Sequence, residues 1–143
     1  MLKQIAGDCI AVRLRVLNRI VTTIFDKALR PYGIRASQLN IIVAVSAYGP
    51  ATVHQLCRVL HIDASTLSRS IARMKKKGWL ESEPSGDGKI MLIRTTPLGL
   101  DMIRTVYQVW EEAQEKAAAL LGDPAMEVIS SAGNKRLLEG MAG

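Results

Sequence analysis

The chain of 143 residues is predicted to fold as a mainly α-helical protein with one small β-hairpin. Most of its length repeats apolar residues every three or four positions, which is the period of a helix that buries one face. Residues 79–83 and 90–94 have strand character and flank the glycine-containing stretch 84–89, which is the pattern of a hairpin.

No apolar run reaches the roughly 18 residues of a membrane span. With no secretory pattern at the N-terminus, a cytoplasmic chain without a membrane partner is expected.

A first long helix is predicted from residue 8 to about residue 30. Its apolar positions form two stripes, one that includes Val12 and Val16 and one that includes Leu14 and Leu17. A helix with two apolar stripes must pack against other elements on two sides, and an isolated domain of this size rarely provides packing partners for both stripes. A partner chain is the simplest second cover.

The remaining elements are each bounded by a capping or a breaking residue. Helices are predicted near 37–48, 53–60, 63–77, 97–121 and 125–138. Ser37, Thr52 and Asp63 are the predicted N-caps, because their side-chain oxygens accept hydrogen bonds from the free amides of a first turn. Thr96, followed by a proline, opens the second long helix.

Two short helices joined by a tight turn and followed by a hairpin form a winged helix-turn-helix, in which the second helix enters the DNA major groove. One face of the second helix is apolar and is expected to face the core. The opposite face carries Ser65, Thr66, Ser68, Arg69, Arg73 and Lys76. Small hydroxyls permit a close approach to DNA, and arginines can reach guanine or phosphate. These six residues are therefore the predicted DNA contacts.

The charge divides along the chain. Seven basic and two acidic side chains lie in residues 1–35, eight and four in 50–94, and four and seven in 95–143. A basic first two thirds favours a surface that binds a polyanion. On charge alone, nucleic acid, an anionic membrane and an acidic protein all remain open.

Residues 34–104 resemble the MarR family of bacterial transcriptional regulators. The matching stretches are Ile34–Leu39, Thr52–Leu56, Asp63–Arg69, Met74–Leu80 and Thr95–Gly99. The resemblance implies a winged helix-turn-helix DNA-binding domain at 35–96. It also implies a dimerisation region at 1–34 and 97–143, whose N- and C-terminal helices form an intertwined homodimer. The implied function is a repressor that binds double-stranded DNA at a pseudo-palindromic operator and is released by a small aromatic or phenolic ligand.

The wing departs from the family pattern, in which an Asp is usually followed by two Arg at the tip. Here the tip reads Asp87, Gly88 and Lys89. Lys89 is predicted to contact DNA as a point charge. Its ammonium cannot form bidentate hydrogen bonds to bases or fill a narrow minor groove as an arginine side chain does. A weaker contribution from the minor groove is expected.

Members of the family often bind aromatic acids in a cleft between the dimer helices and the winged part, where a guanidinium and flat apolar walls suit an aromatic carboxylate. The candidate lining residues are Arg15, Arg19, Tyr32, Tyr48 and Tyr107.

Two alternatives stay open. Cys9 stands where some family members carry a peroxide-sensing cysteine, although it also belongs to an apolar stripe, where a small hydrophobic residue packs. The second alternative is a winged helix that binds an acidic protein partner. No metal site is expected, because His54 and His61 lie seven residues apart with no third ligand at a suitable spacing. No enzyme or cofactor is expected either, because the sequence offers no Ser/His/Asp set and no complete phosphate-binding loop.

Overall fold

The computed structural model describes residues 1–141. The elements in chain order are α1 (Leu2–Asp8), α2 (Ile10–Leu29), a 3-10 turn (Arg30–Tyr32), α3 (Ala36–Tyr48), α4 (Val53–Leu60), α5 (Ala64–Lys76), β1 (Leu80–Pro84), β2 (Met91–Thr95), α6 (Pro97–Leu121) and α7 (Asp123–Met141). The strands pair antiparallel, with Leu80 opposite Thr95. The mainly helical fold with a hairpin is confirmed, and each strand begins one residue later than predicted.

Residues 34–96, here called the winged lobe, share one hydrophobic core with the adjoining parts of α2 and α6. The core residues are Leu29, Ile34, Leu39, Ile41, Ile42, Val45, Leu56, Leu67, Ile71, Met74, Trp79, Leu80, Ile93 and Val106. Full burial of one such side chain contributes about 1.5–3 kcal/mol. The lobe therefore has enough buried apolar surface to hold α5 and the hairpin in fixed positions.

Three of the helix starts have the predicted side-chain cap. The Thr52 hydroxyl accepts from the Gln55 amide at 3.1 Å, and the Asp63 carboxylate accepts from the Thr66 amide at 2.9 Å. Thr96 receives the Gly99 amide at 3.0 Å. These caps place α4, α5 and α6 where the sequence predicts them.

The predicted N-cap of α3 is wrong. The helix begins at Ala36 with Arg35, not Ser37, at the N-cap position. The amide of Ala36 donates to the carboxylate of Asp26 at 2.8 Å. Because α2 supplies this acceptor from ten residues away and the Gln38 side chain accepts the Arg35 amide at 3.1 Å, the first turn of α3 does not need the Ser37 hydroxyl.

The first long helix was predicted to begin at residue 8 and is instead divided. Cys9 has extended backbone angles (φ −65°, ψ 111°) and separates α1 from α2. Gly7 and Asp8 are both poor helix formers, which weakens the helix at this point. The Arg13 guanidinium reaches back to the Gly7 carbonyl and lies 3.6 Å from the Asp8 carboxylate.

The turn between α4 and α5 depends on a left-handed residue. His61 ends α4 with φ 52° and ψ 43°. This conformation reverses the chain within three residues, so that α5 starts directly after Asp63. The tight turn predicted from the sequence is thereby confirmed.

The terminal helices have little buried surface. Leu29 is the buried residue of α2, although this helix has 20 residues. α2 packs on α6, and α7 packs on α4 and α6. Within residues 1–141, no helix has both the length and the apolar character that crossing a membrane requires.

Candidate nucleic-acid interface

The orientation of α5 is set by its apolar face. Leu67 and Met74 are fully buried and Ile71 is 4% exposed. These three residues anchor the helix in the core of the winged lobe, so its opposite face must point outward. Each of the six residues predicted from this helix to contact DNA is exposed: Ser65, Thr66, Ser68, Arg69, Arg73 and Lys76.

The first turn of α5 is organised around Asp63. Its carboxylate is held by hydrogen bonds from the side chain and the amide of Thr66 and from the hydroxyl of Ser65, and the charge of Arg69 lies nearby. In that order, these interactions lower the pKa of Asp63 well below its ordinary value. The ionised carboxylate therefore orders the two small side chains that stand at the N-terminus of the helix.

The tip of the wing is shaped by Asp87. Its carboxylate accepts hydrogen bonds from the hydroxyl of Ser85 and, at 3.1 Å, from the amide of Lys89. These two hydrogen bonds lower the pKa of Asp87. Gly88 adopts φ +72°, a left-handed conformation that favours glycine. The departure from the family pattern at this position thus fits the backbone, and Lys89 is exposed beside it.

Cross-strand ion pairs join one arginine of β2 to two glutamates of β1. The Arg94 guanidinium pairs with Glu81 and, at 3.1 Å, with Glu83. The Lys75 ammonium donates to the Ser82 hydroxyl at 2.8 Å and joins α5 to β1. Sequence reasoning missed these contacts, although the opposition of Arg94 and Glu81 follows once the strand register is known.

The candidate ligand residues lie in different places within one chain. Tyr107 lines a cavity of about 290 Å³ between α3 and α6. Its hydroxyl donates to Glu111 at 2.8 Å, and its ring centroid is 6.0 Å from that of Trp110. This hydrogen bond to Glu111 raises the pKa of Tyr107. Tyr48 lines a separate cavity of about 240 Å³.

The other candidates also lie apart. Arg15 and Arg19 are exposed on α2, and Tyr32 is half-buried in the 3-10 turn. The single chain does not bring the five ligand candidates together, and their role stays a prediction. Cys9 is half-buried at the break between α1 and α2, and its redox role stays a prediction. In the described part of the chain, no cluster of three or more His, Cys, Asp or Glu side chains is placed to hold a metal ion.

A sequence model of the MarR family matches residues 32–89, the stretch that contains α3, α4, α5 and the first strand and tip of the wing. Over this stretch the chain is similar in sequence to the MarR family.

Two curated relatives are similar in sequence. The multiple antibiotic resistance protein MarR of Salmonella typhimurium is 28% identical over 94 residues, which are 65% of each chain. The uncharacterized HTH-type transcriptional regulator YwoH of Bacillus subtilis is 26% identical over 78 residues, 54% of this chain and 57% of its own length. The alignments thus span less than two thirds of either relative.

Two solved structures have the same fold as this chain. A mutant of Escherichia coli MarR in complex with operator DNA superposes with a TM-score of 0.81, at 19% identity, over 94% of this chain and 97% of that one. A probable transcriptional regulator from Pseudomonas aeruginosa gives 0.80, at 23% identity, over 91% and 98%. These similarities confirm the winged helix-turn-helix architecture.

Proposed function

We propose that this chain is a transcriptional regulator that binds duplex DNA, with α5 in the major groove and the wing against the neighbouring backbone. The observation that carries the proposal is the outward face of α5. Its apolar side is held in the core, while its small hydroxyls and its cations, Arg69, Arg73 and Lys76, are exposed. The shared fold with an operator-bound MarR mutant supports this placement.

The terminal helices favour a homodimer. On α2, Leu14 is 60% exposed and Val16 is 51% exposed, and on α7 Val128 is 67% exposed. Exposed apolar faces of this extent mark interaction surfaces. To bind a pseudo-palindromic operator, a dimer that covers these faces must hold its two α5 helices about one helical turn, roughly 34–36 Å, apart. Bound across a promoter, such a dimer acts as a repressor.

Release by a small aromatic or phenolic ligand completes the proposal. The apolar cavity beside Tyr107 and Trp110 offers flat walls for a ring. In a dimer, Arg15 and Arg19 of α2 are available to pair with a carboxylate. A ligand of this kind lowers DNA affinity by its differential affinity for the free and DNA-bound states, and by no more.

Arg73→Ala tests the DNA interface. If Arg73 reads a base, operator affinity falls by about 1–3 kcal/mol, and discrimination at that position relaxes. If it contacts phosphate, the loss is equal on all sequences and the salt dependence becomes shallower. Lys116→Ala, which removes one cation from α6, is the matched control. An unchanged affinity in the Arg73 variant would remove this residue from the interface.

An oxidant is the alternative trigger, because Cys9 is a free cysteine that is only partly buried and lies at a helix break. On this alternative, Cys9→Ser keeps DNA binding and loses the release by peroxide. If peroxide still releases the variant from its operator, the cysteine is not the sensor.

A further inference from the structure

A cleft of about 930 Å³ lies between the start of α3 and the C-terminal half of α5. Its lining is strongly basic and comes from three parts of the chain. The cations are Arg30, Arg35, Arg73, Lys76 and Lys77, and Asp26 is the acidic residue that borders it. Cations gathered around one concave surface reinforce one another's potential and attract anions.

The two walls of this basic cleft are joined at Lys77. Its ammonium donates to the Gly33 carbonyl and lies 4.5 Å from the ring centroid of Trp79. The carboxylate of Asp26 accepts the Ala36 amide and is thereby engaged at the start of α3. The cleft is therefore already formed in the single chain, and its acidic lining residue, Asp26, is engaged in a hydrogen bond to the start of α3.

The other four cations of the cleft are exposed and take no part in the contacts made by Lys77 and Asp26. In the described part of the chain, the ion pairs are made by Arg13, Arg94, Arg104 and Arg136. Arg30, Arg35, Arg73 and Lys76 form none of them, so their charges remain available to a ligand. Arginine presents a planar fork of donors that matches phosphate oxygens.

We propose that the basic cleft binds a backbone phosphate of the DNA that flanks the bases under α5, with Arg30 and Arg35 as phosphate-contacting residues. The inference rests on the proposed DNA-binding function and extends the contact surface beyond the helix-turn-helix. Arg73 and Lys76 belong both to the exposed face of α5 and to the cleft, so the two surfaces are continuous. A DNA strand that leaves the major groove beside α5 passes the mouth of the cleft.

The test uses Arg30→Ala, Arg35→Ala and the double variant, each in the full-length protein. Affinity for operator and scrambled duplexes is measured by fluorescence anisotropy over a salt series. Each removed phosphate contact makes the slope of log K against log salt shallower by about 0.9. The loss should be equal on both duplexes, because a phosphate carries no sequence information. Lys116→Ala should keep the wild-type slope, and circular dichroism checks that each variant is folded.

A second experiment distinguishes a phosphate of the DNA backbone from a free anion as the ligand of the basic cleft. A duplex shortened at both ends, which keeps the half-sites and lacks the flanking phosphates, should abolish the difference between wild type and the double variant. A wild-type slope in the double variant overturns the inference alone. Thermal protection by inorganic phosphate in the wild type, combined with unchanged slopes in the variants, also overturns it in favour of a free anion. Failure of the wild type to bind any duplex overturns the proposed function as well.

Discussion

The winged lobe and the terminal helices use their apolar residues in opposite ways. In the lobe, α3 buries five of its 13 residues and forms the centre of the core. By contrast, α2 buries one of its 20 residues and leaves a row of aliphatic side chains in contact with solvent. The lobe is therefore stabilised by its own packing, whereas the terminal helices present a surface that a second chain can cover.

The winged lobe also differs in charge from the C-terminal helices α6 and α7. Residues 50–94 carry eight basic and four acidic side chains, and residues 95–143 carry four and seven. The guanidinium of Arg94 pairs with two glutamates of the hairpin, and within the described residues no cation of α5 forms an ion pair. The basic lobe with its complete hydrophobic core suits DNA binding. The acidic C-terminal helices, whose apolar residues are partly uncovered, suit pairing with another copy.

The largest expected effect comes from a charge on the exposed face of α2. We expect Leu14→Glu to halve the molecular mass in solution and to lower operator affinity by about 100-fold or more, because the two lobes no longer bind as one unit. Light scattering and anisotropy measure the two effects. Val43→Glu is the control and should stay dimeric, since Val43 is also exposed (43%) but lies on α3, outside the predicted dimerisation region. A dimeric Leu14 variant would place the interface elsewhere.

A smaller effect is expected where the lobe joins α6. A Cβ on Gly99 would lie 2.3 Å from the carbonyl oxygen of Trp79, a backbone atom that cannot easily move. Gly99→Ala should therefore lower the free energy of unfolding by about 1–3 kcal/mol. At Gly133 in α7, a Cβ meets open space, and Gly133→Ala should raise stability by up to about 1 kcal/mol. Denaturant titration measures both, and equal effects would contradict the close contact.

The wing offers a still smaller test. Lys89→Arg adds a forked donor at an exposed position and should raise operator affinity by about 0.5–1 kcal/mol, roughly two- to fivefold. Gly88→Arg should perform worse, because its φ of +72° costs a side-chain-bearing residue about 1–2 kcal/mol. Anisotropy with a common operator compares the two variants. If Gly88→Arg binds more tightly than Lys89→Arg, the left-handed turn is not a constraint on the wing.

The smallest effect concerns acid stability. Because the pKa of Asp63 is lowered in the folded state, its contribution to stability is present above its ordinary value of 3.8 and is lost as the pH falls below it. Asp63→Asn keeps a capping oxygen but cannot titrate. The decrease in Tm between about pH 5 and about pH 3 should therefore be smaller in the variant than in the wild type. An identical decrease would show that the carboxylate charge adds nothing to the cap.

The features predicted correctly from the sequence are those with local signals. The caps at Thr52 and Asp63, the tight turn at His61 and the buried side of α5 each depend on residues within a few positions of one another. The resemblance to the MarR family came from such stretches, and the family match covers the same region.

The features that sequence reasoning missed depend on contacts across the fold. Asp26 reaches the start of α3 from another helix, and this tertiary acceptor displaces the local choice of Ser37. The division of the first helix at Cys9 has only weak local signals. The basic cleft joins Arg30 and Arg35 to Arg73, which lies about forty positions away, so only the tertiary fold that sets the start of α3 beside α5 assembles it.

The most direct test of the central claim is the binding of the full chain to the DNA that flanks its own gene, beside a scrambled duplex, followed by anisotropy over a salt series. The account predicts tight binding to the first duplex, two chains per duplex, and weaker binding to the scrambled sequence that falls steeply with salt. Equal affinity for both duplexes, lost together as salt rises, would contradict sequence-specific recognition at that site. Absence of binding to either duplex would favour an acidic protein as the partner of the basic lobe.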